Sequence, residues 1–149
     1  MPKNIVDAYR NAVSKSKRAD FYDVVSFCES DEECQEDTSL KKNVLMFWSY
    51  KKIALFYEKN KKYKQAYTFW QKTLEFATNS AMKIKIGHKM LEVVNKMKIP
   101  LREKAEEIVR ICNIMQKEYE LKGNKESVLR MSKLQDAAEK ILHKANVLH

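Results

Sequence analysis

The chain has 149 residues, 44% apolar and 33% charged, with a formal net charge of +9 and only two Gly and two Pro. So little turn-forming punctuation argues against a sandwich or barrel and for long helices packed as a single domain over 1–149. No apolar run approaches the roughly 18 residues of a membrane span, and MPKNIVDAYRNAV lacks the continuous apolar core of a secretory signal, so a cytoplasmic protein with no membrane partner is expected. The three cysteines are odd in number and scattered, which favours reduced thiols.

Residues 1–29 predict a pair of helices. From Asn4 to Lys17 the residues Ile5, Ala8, Tyr9, Ala12 and Val13 form one apolar stripe. Asp20 offers an N-cap for a shorter second helix that turns Phe21, Val24, Val25 and Cys28 inward. Segment 30–37 reads as an acidic loop. Counting Glu29, it places six acids within nine residues: Glu29, Asp31, Glu32, Glu33, Glu36 and Asp37. It lacks the glycine and the alternating ligands of a calcium loop, and Cys28 with Cys34 lacks zinc spacing, so no metal is expected. Asp37, Thr38 and Ser39 supply an N-cap for a long helix from Leu40 to Lys59, and the preceding acids favour its dipole.

The stretch from Phe47 to Asn79 holds ten of the fifteen aromatic residues. It predicts a hairpin over 38–79, two amphipathic helices joined by a lysine-rich turn. Ile53, Ala54 and Tyr57 share a face of the first helix, as do Tyr63, Ala66, Trp70 and Leu74 of the second. Ala54 and Ala66 fall where two close helices leave room for a methyl only, with large rings filling the groove on either side.

This pattern resembles a tetratricopeptide repeat, a helix–turn–helix unit of about 34 residues with an alternating code of aromatic and small positions. The code runs Tyr50, Ile53, Ala54, Tyr57, then Tyr63, Ala66, Trp70. Thr73 stands where an alanine is usual, Thr78 where a proline often ends the unit, and Asn60 where the turn usually has glycine, a position at which Asn tolerates the left-handed conformation. An ordinary antiparallel hairpin with an aromatic core fits the same residues. The resemblance implies an all-α, right-handed stack of antiparallel hairpins, with about six or seven helices in this chain. It also implies a concave groove lined by the first helix of each unit. Carried onto this sequence, its partner-binding positions are Trp48, Lys51, Leu55, Glu58 and Lys59, with Lys52 alongside. Lys51 matches a lysine that grips acidic peptide termini in some family members. Leu55 replaces the asparagine that completes that grip, which leaves a general groove. Trp48 either presents its ring there or packs on the preceding helix.

A second, degenerate hairpin is predicted over 80–121. Asn79 or Ser80 caps a helix to Lys96 with Met82, Ile86, Met90, Val93 and Met97 in register, and Gly87 sits mid-helix where a neighbour could approach closely. Pro100 opens the next helix, whose stripe is Leu101, Ala105, Ile108, Cys112, Met115 and Tyr119, with Cys112 as core. Lys122-Gly123-Asn124 ends it and begins a capping helix over 124–147, with the stripe Leu134, Ala138, Ile141 and Ala145.

Charge is the strongest functional signal. From Thr38 to Lys98 there are fourteen Lys against three Glu and no Arg. This pattern fits either a solvated face or a surface for an acidic partner, which the acidic loop could cover. The absence of Arg weakens bidentate phosphate recognition. His88, His143 and His149 do not converge with Cys or acids in sequence, and no phosphate loop, nucleophile elbow or HExxH motif is present. No enzyme and no cofactor are therefore expected. The reading is a protein–protein adaptor or chaperone-like module that takes an acidic or amphipathic segment on a lysine-rich face. The alternatives are nucleic-acid binding through that face, or a self-assembling helical protein.

Overall fold

A computed structural model describes residues 2–15 and 18–147. Among these the regular structure is entirely helical: α1 (Ile5–Lys15), α2 (Arg18–Ser30), α3 (Glu32–Glu36), α4 (Leu40–Lys59), α5 (Tyr63–Glu75), α6 (Ser80–Lys96), α7 (Leu101–Leu121) and α8 (Lys125–Val147). Eight helices thus replace the expected six or seven, and the additional one is α3, inside the segment read as a loop. No described helix is long and apolar enough to cross a membrane. The chain divides into two compact units, Met1–Thr78 and Asn79–His149, with the boundary between the two predicted hairpins.

In the first unit α2 begins at Arg18, so Asp20 lies in its first turn rather than at the cap. The carboxylate there still opposes the positive end of the helix. Ser16 and Lys17, expected at the end of the first helix, lie outside the described residues. The α1–α2–α4 core joins Ile5, Ala8, Ala12, Phe21, Val24, Val25, Cys28, Met46, Tyr50 and Ile53. Val13, expected in the core stripe, is exposed.

A five-residue helix cannot hold itself, and α3 is secured from several sides. The Asp31 carboxylate accepts from Cys34 N–H at 3.0 Å. The Gln35 amide donates to the Glu29 carbonyl. The Lys42 ammonium, its residue buried, donates to the Gln35 carbonyl at 3.2 Å. Cys28 and Cys34, expected as reduced thiols, form a disulfide. The turn at Ser30–Asp31 folds α3 back beside the end of α2 and brings the two Cα atoms to 5.1 Å. The Ser39 hydroxyl then accepts from Lys42 N–H and starts α4 where the sequence places it.

Helices α4 and α5 run back along each other. Tyr57 stacks on Phe69 with ring centroids 5.5 Å apart, and Tyr50, further from the turn, stacks on Phe76 at 5.7 Å. Ala54 and Ala66 are 0% exposed, as the packing of small against large residues requires. The left-handed residue of the intervening turn is Lys61 (φ 60°), not Asn60, which has φ −90°. Asn60 instead donates its side-chain amide to the Phe56 carbonyl at 2.8 Å.

In the second unit Asn79 caps α6 through Met82 N–H, and Gly123 (φ 69°) supplies the left-handed residue beyond α7. Gly87 faces Met115 of α7: a Cβ there would lie 2.7 Å from Met115 Cγ. The buried set includes Ile86, Met90, Val93, Val94, Ala105, Ile111, Cys112, Met115, Tyr119, Met131 and Ala138. Leu101 and Leu134, expected in the core stripes, are exposed. Leu101 is the first residue of α7, too near the helix end to be covered, and Met131 takes the inward place on α8. The side chain of Ala145, the last of the expected α8 stripe, lies outside the described residues.

Candidate partner-binding cleft

The lysine-rich face of α4 opens into a cleft of about 410 Å³ lined by Tyr9 and Val13 of α1, Phe21 of α2, and Trp48 and Lys52 of α4. Tyr9 and Val13 are one turn apart on α1, as are Trp48 and Lys52 on α4. These two rows form facing walls, and Phe21 closes against Tyr9 edge-on at 6.0 Å. Trp48 therefore packs beside the preceding helices and remains 40% exposed. Its ring meets Phe47 edge-on at 6.0 Å, while the Lys51 ammonium lies 4.8 Å from its centroid. That is within the range of a cation–π contact.

The cleft is thus apolar inside and positive at its rim. Burial raises the Tyr9 phenol above its ordinary pKa, so the wall it forms stays neutral. Lys52 is exposed and Lys51 half-buried, the Lys51 ammonium lying over the Trp48 ring. Such a site can take an apolar side chain between its walls while carboxylates meet the ammonium groups.

Of the six positions assigned from the sequence, Trp48 and Lys52 line the cleft and Lys51 sits over Trp48. Leu55 and Glu58 are half-buried and Lys59 is exposed; none of the three belongs to the lining. Tyr9, Val13 and Phe21 were read as core: Phe21 is buried there and Tyr9 packs against it, while Val13 is exposed, and all three also line the opposite wall. A signal existed. The α1 stripe is too wide for one contact, because Ile5, Ala8 and Ala12 already fill its buried row and Tyr9 and Val13 flank it.

The acidic segment, residues 30–37, contributes no residue to the lining of this cleft. Its own chemistry is structural. The Tyr50 hydroxyl donates to Glu29 Oε1 at 3.2 Å, and burial, with Glu29 beside it, raises the Tyr50 pKa. Asp37 accepts from Ser39 N–H at 2.8 Å, and that bond, with the Ser39 side chain and Lys42, lowers its pKa.

Polar clusters in the second unit are also structural in form. Buried Glu118 accepts from Ser80 Oγ at 2.6 Å and lies 3.5 Å from the Lys83 ammonium. His88 Nε2 and Tyr119 Oη are 2.8 Å apart. Burial, and then the charge of Arg130, lower the His88 pKa. Cys112 is buried and desolvation pushes its thiol up to about 11. Among the described residues no group of three or more His, Cys, Asp or Glu is placed to hold a metal ion. No family model matches the chain, and comparison with curated proteins and with solved structures finds no match.

Proposed function

We propose that this chain is a non-enzymatic protein-binding module. In this reading its helical pairs belong to a tetratricopeptide-like stack, and its α4 face receives an acidic, amphipathic segment of another protein. The observation that supports it is the cleft: a half-exposed Trp48 in an apolar slot with Lys51 and Lys52 at its rim. Exposed tryptophan beside cations is the composition of interface hot spots. Complementary charge at the rim governs encounter and selectivity. The burial of Tyr50, Tyr67 and Trp70 in the α4–α5 packing leaves few rings for base stacking and disfavours the nucleic-acid reading.

The test uses two fluorescent probes, a helical peptide with Glu and Leu on one face, and single-stranded DNA. The peptide binds with a dissociation constant in the micromolar range and shifts Trp48 emission. Lys51→Glu/Lys52→Glu weakens it about tenfold or more with the urea midpoint unchanged. Peptide binding that ignores this variant, or DNA that displaces the peptide at physiological salt, overturns the proposal.

A further inference from the structure

The first unit displays both halves of an electrostatic contact, in places where they cannot meet within one copy. One half is the cleft rimmed by Lys51 and Lys52. The other is the outer surface of α3 and the start of α4, where Glu32, Glu33 and Glu36 are exposed. Glu32 and Glu36 are one turn apart and share a face. Leu40, four residues after Glu36, follows at the head of α4 as a large apolar side chain with 65% of its surface exposed. This surface is therefore acidic and amphipathic, the chemistry the cleft is suited to take.

α3 is not free to fold over its own cleft. The disulfide to Cys28, the Gln35 bond to the Glu29 carbonyl and the Lys42 bond to the Gln35 carbonyl hold it against α2 and the start of α4. Fixed in this way, the acidic surface is presented outward as a preformed ligand, with its ordering already achieved before any encounter. We infer that its occupant is a second copy of this chain: the α3–Leu40 surface of one copy docks in the Trp48–Lys52 cleft of the next, with Leu40 between the apolar walls and the glutamates against Lys51 and Lys52. The inference rests on the reading of the cleft as a site for acidic, amphipathic segments. The two surfaces differ, so each contact is heterologous: two copies can exchange it reciprocally about a two-fold axis, or each copy can pass it on head-to-tail into rings or open filaments.

Sedimentation velocity of the full chain tests it. In about 0.1 M salt the weight-average mass rises with protein concentration. In about 1 M salt, where the screening length falls from about 10 to about 3 Å, it returns to the monomer value. Lys51→Glu/Lys52→Glu and Glu32→Lys/Glu33→Lys are each monomeric alone, because like charges then face each other. Mixed one to one they regain association, since every mixed contact pairs opposite charges. Leu40→Ser weakens wild-type association about tenfold. A wild-type chain that stays monomeric, or two variants that remain monomeric when mixed, overturns the inference. Should the wild type stay monomeric while the Glu–Leu peptide still binds the cleft, only the second-copy assignment fails. Should the peptide fail as well, the cleft reading itself falls.

Discussion

Gly87 offers a test in which two physical effects oppose each other and their difference can be read. In Gly87→Ala the new methyl lies 2.7 Å from Met115 Cγ and 2.9 Å from Met115 Sδ. Unstrained carbon contacts lie near 3.5–4.0 Å, so the overlap approaches about 1 Å. Met115 is 0% exposed and cannot turn out to solvent. Overpacking of this kind costs about 1–3 kcal/mol. Replacing a helix-interior glycine by alanine returns about 1 kcal/mol through backbone entropy. Gly87→Ala should therefore destabilise the second unit by about 0–2 kcal/mol. In a Met115→Ala background the obstructing atoms are gone and only the helix gain remains. There the same substitution should stabilise by about 0.5–1 kcal/mol.

Cys112 provides the assay. The disulfide occupies Cys28 and Cys34, leaving Cys112 as the free thiol, buried and with its pKa pushed up to about 11. A thiol reagent therefore reaches it only when α7 opens. Its labelling rate reports the opening equilibrium, with about fivefold per 1 kcal/mol. Met115→Ala alone accelerates labelling, since the cavity costs about 2–5 kcal/mol. Adding Gly87→Ala should accelerate it further with Met115 present and slow it with alanine at 115. The same sign in both backgrounds refutes the claim that Met115 is what excludes a side chain at 87.

Ala66→Leu should destabilise the first unit by about 1–3 kcal/mol, measured by urea unfolding through Trp70 emission, because Ala66 is fully buried between α4 and α5. Cys28→Ser/Cys34→Ser, or reduction, should lower its stability by about 2 kcal/mol, the loop-entropy value for so short a closure; an unchanged urea midpoint would show that the turn at Ser30–Asp31 holds α3 unaided. The His88 pKa is lower in the fold than its ordinary 6.5. The unfolded chain therefore takes up the proton first, and the contribution of His88 is fully present above pH 6.5 and lost as pH falls through the folded value. Urea midpoints at pH about 8 and about 5 should differ less in His88→Gln than in the wild type, and equal differences would show that His88 is not the group responsible.

What could be read in advance follows from the range of the forces involved. The bounds of α4 were legible because the Ser39 cap and the lysine-rich turn act within a few residues of chain. Ala54, Ala66 and Gly87 announced close approach through their size, although Met115, the group that Gly87 admits, lies on another helix and had no local signature. The cysteines misled. Parity suggested free thiols, but pairing depends on a turn at Ser30–Asp31 that folds six residues back on themselves, and the odd cysteine is simply core. The cleft was half legible for a related reason. Trp48 and the lysines were placed by the repeat resemblance, whereas Tyr9, Val13 and Phe21 belong to stripes that also supply interior residues, and only the width of the α1 stripe hinted at a second contact. A wall that buries an apolar side chain of a partner satisfies the same hydrophobic periodicity as one that buries its own neighbour. Periodicity therefore reports an apolar face, and only the packing of α1, α2 and α4 shows which part of that face stays exposed. Val13 and Trp48, on different helices, are both exposed in the lining that they share with Lys52.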